Sequence, residues 1–204
     1  MKKALIVSSK SKDAYKKVSH AVRAGSIIIA PTETVYGFAT SAFNVLNHQK
    51  IYKIKGRSYK KPLVIMVGDI EAAKPLVDIP EKALEIAKRF WPGQLTLIFP
   101  TTELGKILSG GRDDLGVRIP DHKFMLKLLN DVQMPLWTTS VNVSNKKSAK
   151  TFKETLLFEK KVDIIVDGGD CKYSYESTVI DMVKFPYVIL RKGCLPTDEI
   201  LKYI

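Results

Sequence analysis

Apolar positions recur along this chain with two periods, helical and extended, and the two alternate. Ala14, Val18, Ala21 and Val22 fall at helical spacing within residues 11–24, and Gly25 supplies a stop. The apolar run at 27–30 then reads as a short buried strand. Asn47 caps a predicted helix ending near Gly56, with Ile51, Tyr52 and Ile54 as its apolar contacts. Residues 62–67 predict another buried strand. A helix follows at 80–90, with Pro80 favourable near its start and Trp91-Pro92-Gly93 as its break. Residues 95–99 and 117–119 predict strands, and Asp121 caps a helix running through Asn130. Further strands are expected at 136–140, 162–166, 178–182 and 187–190, and a last helix starts near Pro196.

Helices set between strands predict an α/β sheet. Only a few residues around Phe185-Pro186 join the last two strands, so they should form an antiparallel hairpin and make the sheet mixed. The 204 residues suit one domain, 1–204, with no repeat, low-complexity segment or dividing linker.

Composition narrows the class. An apolar fraction of 45% fits a folded chain. The longest apolar runs, such as 26–30, are too short to span a bilayer, and the N-terminus lacks the apolar stretch of a signal peptide. Cys171 and Cys194 form no CxxC and have no histidine nearby, which argues against a disulfide framework and a zinc site. A cytoplasmic protein without a membrane partner is expected. The 33 Lys and Arg against 21 Asp and Glu give a net charge of +12. That excess fits an RNA or DNA partner. It equally fits lysines scattered over solvated helix faces.

Neither GxxxxGK[ST], GxGxxG nor GxSxG occurs. His20, His48 and His122 all lie in helical or helix-starting contexts, so a Ser–His–Asp hydrolase is poorly supported. Cations and hydroxyls remain. The stretch Lys55-Gly56-Arg57-Ser58-Tyr59-Lys60-Lys61-Pro62-Leu63 follows the hydroxyl-rich Pro31-Thr32-Glu33-Thr34-Val35-Tyr36-Gly37. Phosphoryl and nucleotidyl transfer run largely on positioning and charge stabilisation. Lys55, Arg57, Lys61, Arg118 and Arg191 can supply the cations, arginine being suited to bidentate capture of phosphate or carboxylate. Lys60 and Lys61 taken alone read as a solvated charge run. The loop at 138–145 follows a strand end, where ligands of α/β sheets commonly sit. It also fits an ordinary turn cluster that satisfies its own backbone.

These residues resemble the YrdC-like threonylcarbamoyl-AMP synthases. The anchors are PTETVYG at 31–37, the KxR of Lys55 and Arg57 with KPL at 61–63, WPG at 91–93 and VRIP at 117–120. The SxN of Ser140 and Asn142, DGG at 167–169, STVID at 177–181 and LRKG at 190–193 complete the series in the family's order. The resemblance implies a single α/β domain: a twisted mixed sheet with flanking helices and a large concave positive surface. It also implies a reaction in which L-threonine, bicarbonate and ATP give threonylcarbamoyl-AMP and pyrophosphate, for threonylcarbamoyl modification of tRNA. On that basis Arg118 pairs with the threonine carboxylate, while Thr34, Ser140 and Ser177 contact its polar groups. Arg57 stands at the threonine–nucleotide junction. Lys55, Asn142 and Arg191 hold ATP phosphates or nucleotide, and Lys55 and Arg57 are the catalytic cations. Magnesium accompanies ATP, with phosphate and water as its expected ligands and no protein metal site. A separate tRNA threonylcarbamoyl transferase receives the product. The chain as it stands resembles the short, single-domain form.

Four positions depart from the family pattern. Met66 stands where many members have His, and Lys61 where others have Asn or another small polar residue. Asp114 replaces a frequent Ser or Thr, which would set a carboxylate near phosphates unless it turns away. Asn145 replaces a common Gly but tolerates a left-handed backbone. Two other readings stand beside the synthase. One is a non-catalytic protein binding tRNA or double-stranded RNA, whose affinity would fall steeply with salt. The other is a carbamoyl-phosphate-using module of larger hydrogenase-maturation proteins, which carry zinc-finger and acylphosphatase parts not seen in this sequence.

Overall fold

The computed structural model describes residues 3–59 and 61–203, so Lys60 lies outside the described residues. The chain runs β1 (Leu5–Ser8), α1 (Ala14–Arg23), β2 (Ile28–Ala30), β3 (Gly37–Ser41), α2 (Val45–Lys55), β4 (Val64–Met66) and α3 (Glu81–Phe90). It continues through β5 (Leu95–Pro100), α4 (Glu103–Leu108), β6 (Asp114–Arg118), α5 (Lys123–Val132) and β7 (Leu136–Ser140). It closes with α6 (Phe152–Thr155), β8 (Ile164–Asp167), β9 (Thr178–Asp181), β10 (Val188–Arg191) and α7 (Thr197–Ile200).

The strands form one ten-stranded sheet in the order β1-β8-β2-β3-β7-β4-β6-β5-β9-β10. It is mixed: β8 pairs in parallel with β1 and β2, whereas β7 runs antiparallel to both β3 and β4. The expected closing hairpin is β9–β10, antiparallel. Both faces of the sheet are covered. Ile28 and Ala30 join Val18 and Val22 of α1 and Phe124 and Leu128 of α5, while Ile29 joins Ile51 and Tyr52 of α2 and Ile86 of α3. A strand covered twice reads as an unbroken apolar run, which explains the absence of polar alternation there. Ile28 and Ile29 are wholly buried, each contributing on the order of 1.5–3 kcal/mol.

Sequence patterning misses four short elements, β1, β3, α4 and α6. β1 is a four-residue edge strand whose Leu5 and Ile6 are exposed, so only Val7 reaches the core and no buried period shows. β3 is built of Gly37, Phe38, Ala39, Thr40 and Ser41, and its hydroxyls disguise a buried strand. α4 and α6 are held by local caps. Thr102 accepts from the Gly105 N–H at 3.1 Å, and Thr151 and Glu154 form a capping box.

Helix boundaries shift for similar reasons. α2 starts before Asn47, because Asn44 Oδ1 caps it by accepting from the Asn47 N–H at 3.0 Å. The Asn47 side chain is buried instead and donates to Thr40 Oγ1 at 3.0 Å. α5 begins behind His122 rather than Asp121. β6 starts at Asp114 and stops at Arg118, which sets that arginine at a strand end. Gly56 ends α2 in a left-handed conformation (φ 57°, ψ 40°) that glycine adopts without steric cost, and Arg57 follows that reversal. Among the described residues, no helix is long and apolar enough to cross a membrane.

Candidate active site

A cavity of about 380 Å³ opens beside the central strands. Residues two apart on a strand share a face, and Val64 and Met66 of β4 and Thr138 and Ser140 of β7 line it in this way. Seven of the eight predicted site residues lie in its wall: Thr34, Arg57, Arg118, Ser140, Asn142, Ser177 and Arg191. Lys55 does not. Among the described residues the wall carries five cationic side chains, Arg57, Lys61, Arg118, Lys146 and Arg191, against one carboxylate, Glu176.

Arg118 reaches the wall from the end of β6 but is 4% exposed. It donates from Nη2 to Glu33 Oε1 at 2.7 Å, from Nη1 to Thr34 Oγ1 at 2.9 Å and from Nε to the Gly93 carbonyl at 3.1 Å. Glu33 is equally buried, and its Oε2 lacks a hydrogen-bond partner. A guanidinium has five N–H donors, so two remain beyond these partners. The loop carrying Thr34 is shaped by Thr32, whose hydroxyl donates to the Val35 carbonyl at 2.6 Å. Tyr36 anchors the loop at 167–169, donating to the Gly169 carbonyl at 2.7 Å and accepting from the Gly168 N–H at 3.0 Å. Burial pushes the Tyr36 phenol up to about 12, so it stays a neutral donor.

Arg191 comes from the end of β10. It donates to Glu176 Oε2 at 2.6 Å, to the Ser177 carbonyl at 3.0 Å and to Ser177 Oγ at 3.2 Å. Ser177 Oγ also lies 2.8 Å from Thr96 Oγ1. Ser148 donates to the other Glu176 oxygen at 2.7 Å. Burial pushes the Glu176 carboxyl up, but the Arg191 charge, the Ser148 and Ser140 hydroxyls and the Lys55 charge outweigh it and hold the group below its usual range. Glu176 therefore stays ionised within a cationic wall.

Arg57, half-buried, donates from Nε to the Lys61 carbonyl at 3.0 Å and from Nη2 to the Pro62 carbonyl at 2.9 Å, which folds the loop after α2 around its own guanidinium. Lys55, expected on the phosphates, sits behind the wall. Its ammonium donates to the Asn142 carbonyl at 3.1 Å, and also to the Ser140 carbonyl and Asn142 Oδ1. The reason is tertiary: α2 ends against the loop after β7, and a 1% exposed cation takes the oxygens that loop provides.

The departures resolve in different ways. Met66 and Lys61 both line the cavity. The Lys61 ammonium donates to Asn145 Oδ1 at 3.3 Å, and Asn145 adopts the tolerated left-handed backbone at φ 65°. Asp114 is turned away from the cavity and held by Arg112 at 2.7 and 3.1 Å. Patterning gave no role to Glu33, Glu176 or Thr96. Glu33 and Glu176 each directly precede a hydroxyl residue of a quoted motif, and that adjacency was the available signal.

A family model described as Sua5/YciO/YrdC, telomere recombination, matches residues 20–193. The chain is 40% identical over 186 residues to the threonylcarbamoyl-AMP synthase of Pyrococcus abyssi, covering 90% of this chain and 55% of that protein. It is 35% identical over 183 residues to the threonylcarbamoyl-AMP synthase of Bacillus subtilis, covering 88% and 53% respectively. The chain thus spans about half the length of the curated relatives it matches. The crystal structure of P. abyssi Sua5 complexed with L-threonine superposes with a TM-score of 0.92 at 36% identity, over 98% of this chain and 60% of that one.

Proposed function

This chain belongs to the Sua5/YciO/YrdC family, and from that premise we propose that it is a threonylcarbamoyl-AMP synthase acting on L-threonine, bicarbonate and ATP. The observation that carries the proposal is the convergence of Arg57, Arg118 and Arg191 with the Ser140, Ser177 and Thr34 hydroxyls on one cavity, from segments scattered across the chain. A substrate set with one carboxylate, one triphosphate and several hydroxyls calls for that mixture. The two spare N–H donors of Arg118 suit the threonine carboxylate.

The neutral threonine amine adds to carbon dioxide, formed from bicarbonate by loss of hydroxide, and releases one proton to that hydroxide as water, becoming a carbamate. A carbamate oxygen then attacks the α-phosphorus of ATP, the bond to the β-phosphate oxygen breaks, and pyrophosphate leaves with the electron pair. No strong side-chain base is required. Arg57 and Arg191 stabilise the charge that gathers on the phosphate oxygens.

A resident metal site does not fit these residues. Among the described residues no group of three or more His, Cys, Asp or Glu can hold an ion, and both oxygens of Glu176 already have protein partners. Magnesium belongs here as part of the MgATP substrate. The wider concave face is proposed as positive and able to meet tRNA, the adenylate passing to a separate tRNA threonylcarbamoyl transferase in the cytoplasm. Pyrophosphate release from ATP, measured with threonine or bicarbonate omitted in turn, tests the assignment. Release should need both. Equal turnover without threonine, or ADP as product, would sink it.

A further inference from the structure

We propose that Lys55 is a positioning residue: its buried ammonium fixes the direction of the Asn142 carboxamide and so sets which polarity Ser140 and Asn142 offer the ligand. The proposal deepens the synthase reading and rests on it. An ammonium has three donors and no acceptor. All three oxygens it meets come from the end of β7 and the loop that follows it: the Ser140 carbonyl, the Asn142 carbonyl and Asn142 Oδ1. The Lys55 carbonyl meanwhile accepts from the Ser144 N–H at 2.8 Å. One residue thus grips residues 140–144 by both its side chain and its backbone. Reaching a phosphate would strip the ammonium of three partners in a buried place, an expensive exchange.

The grip dictates polarity. Asn142 Oδ1 accepts from Lys55 and also from the Ser140 hydroxyl at 3.0 Å. While Lys55 is protonated, a flipped carboxamide would set its NH₂ against the ammonium and its oxygen against the Lys146 carbonyl, so the flip is strongly disfavoured. Nδ2 is left on the other side, where it donates to the Lys146 carbonyl at 2.5 Å and retains a second hydrogen. The Ser140 hydrogen is spent on protein. Its acceptor is Asn142 Oδ1, with Glu176 as the competing oxygen. On either one, Ser140 turns only lone pairs toward the cavity. The wall therefore presents an N–H at residue 142, matched to phosphate oxygens, and an acceptor at residue 140, matched to an amine or hydroxyl. Lys55 sets this pattern without touching either substrate.

A double-mutant cycle with Lys55→Met and Asn142→Ala, read as kcat/KM for ATP, tests the coupling. Lys55→Met should lower kcat/KM by about 10- to 100-fold in the parent, as loss of a supporting hydrogen-bond partner does. In the Asn142→Ala background the loss should shrink to about threefold or less. Equal losses in both backgrounds would overturn the proposal, because Lys55 would then contact substrate on its own. A second measurement needs neither turnover nor a folded Lys55 variant. In ¹⁵N-lysine-labelled protein, held at a pH below the Lys55 pKa of about 7, the Lys55 ammonium assigned through its bonded carbons should exchange slowly. Asn142→Ala should accelerate that exchange. A resonance that ignores Asn142→Ala, or one already in fast exchange in the parent, refutes the wiring. A parent protein that makes no adenylate while showing the slow resonance refutes the synthase reading and leaves the wiring standing.

Discussion

Arg118→Ala should damage the fold before it damages binding. The substitution removes the hydrogen bonds to Gly93, Thr34 and Glu33 and leaves the Glu33 carboxylate, 3% exposed, without its cation. Removing one member of a buried ion pair costs about 3–5 kcal/mol, most of it from the stranded charge. For a chain of this size each kcal/mol lowers Tm by about 2–4 °C, so the melting temperature should fall by roughly 6–20 °C. Differential scanning calorimetry of Arg118→Ala beside the double variant Glu33→Leu/Arg118→Met separates the causes. The double variant strands no charge and should recover at least half of the loss. A fall below about 3 °C in Arg118→Ala, or a double variant as unstable as the single one, would refute the reasoning. At a temperature where the single variant stays folded, threonine affinity should fall by about 10- to 150-fold and ATP affinity much less, as loss of a charge-assisted contact predicts.

Arg57→Ala should cut single-turnover adenylate formation by about 100- to 1000-fold at every salt concentration while the fold survives; full activity alongside lost tRNA binding would take Arg57 out of the catalytic site and assign it to RNA contact. Lys55 should make stability depend on pH. Burial first, then the Arg57 charge, presses its pKa from 10.5 down to about 7, against the pull of Glu176. Between those values the unfolded chain binds more protons than the folded one, so stability should rise with pH across that window. Urea midpoints on either side of it should show the rise in the parent and lose it in Lys55→Met. Gly193→Ala should destabilise by about 1–3 kcal/mol and impair adenylate formation, because its Cβ would lie 2.3–2.4 Å from backbone atoms of Glu176, Ser177 and Thr178; chemical denaturation with an activity assay on the folded fraction decides this.

The alternation of helix and strand was legible because α1 and β2 carry clean periods over buried stripes. β3 was not, since Thr40 earns its burial through bonds to Ser26 and Asn47 that lie outside its own segment. The same division runs through the site. Residue types that gather on the cavity could be named from motifs. The direction of a side chain could not, because it follows from what the fold places opposite. Lys55 illustrates this: as a cation beside a glycine it reads as a phosphate ligand, yet the strand end facing α2 fills its hydrogen-bonding capacity with carbonyls. Glu33 and Glu176 were hidden for a related reason. A carboxylate in or behind a cationic wall makes sense only once its arginine partner is located, and Arg118 and Arg191 lie in other segments of the chain.

The strand order also sets a timetable for synthesis. Leu5 of β1 pairs with Ile164 of β8, and Arg191 on β10 completes a wall whose first member is Thr32. At about 5–20 residues per second on a ribosome, the interval between translating Thr32 and translating Arg191 lasts roughly 10–30 s. Until β8 is made β1 has no partner strand, and until β10 follows the cationic wall stays open on one side. The set of cations that converges on the cavity is therefore complete only once β10 has been made.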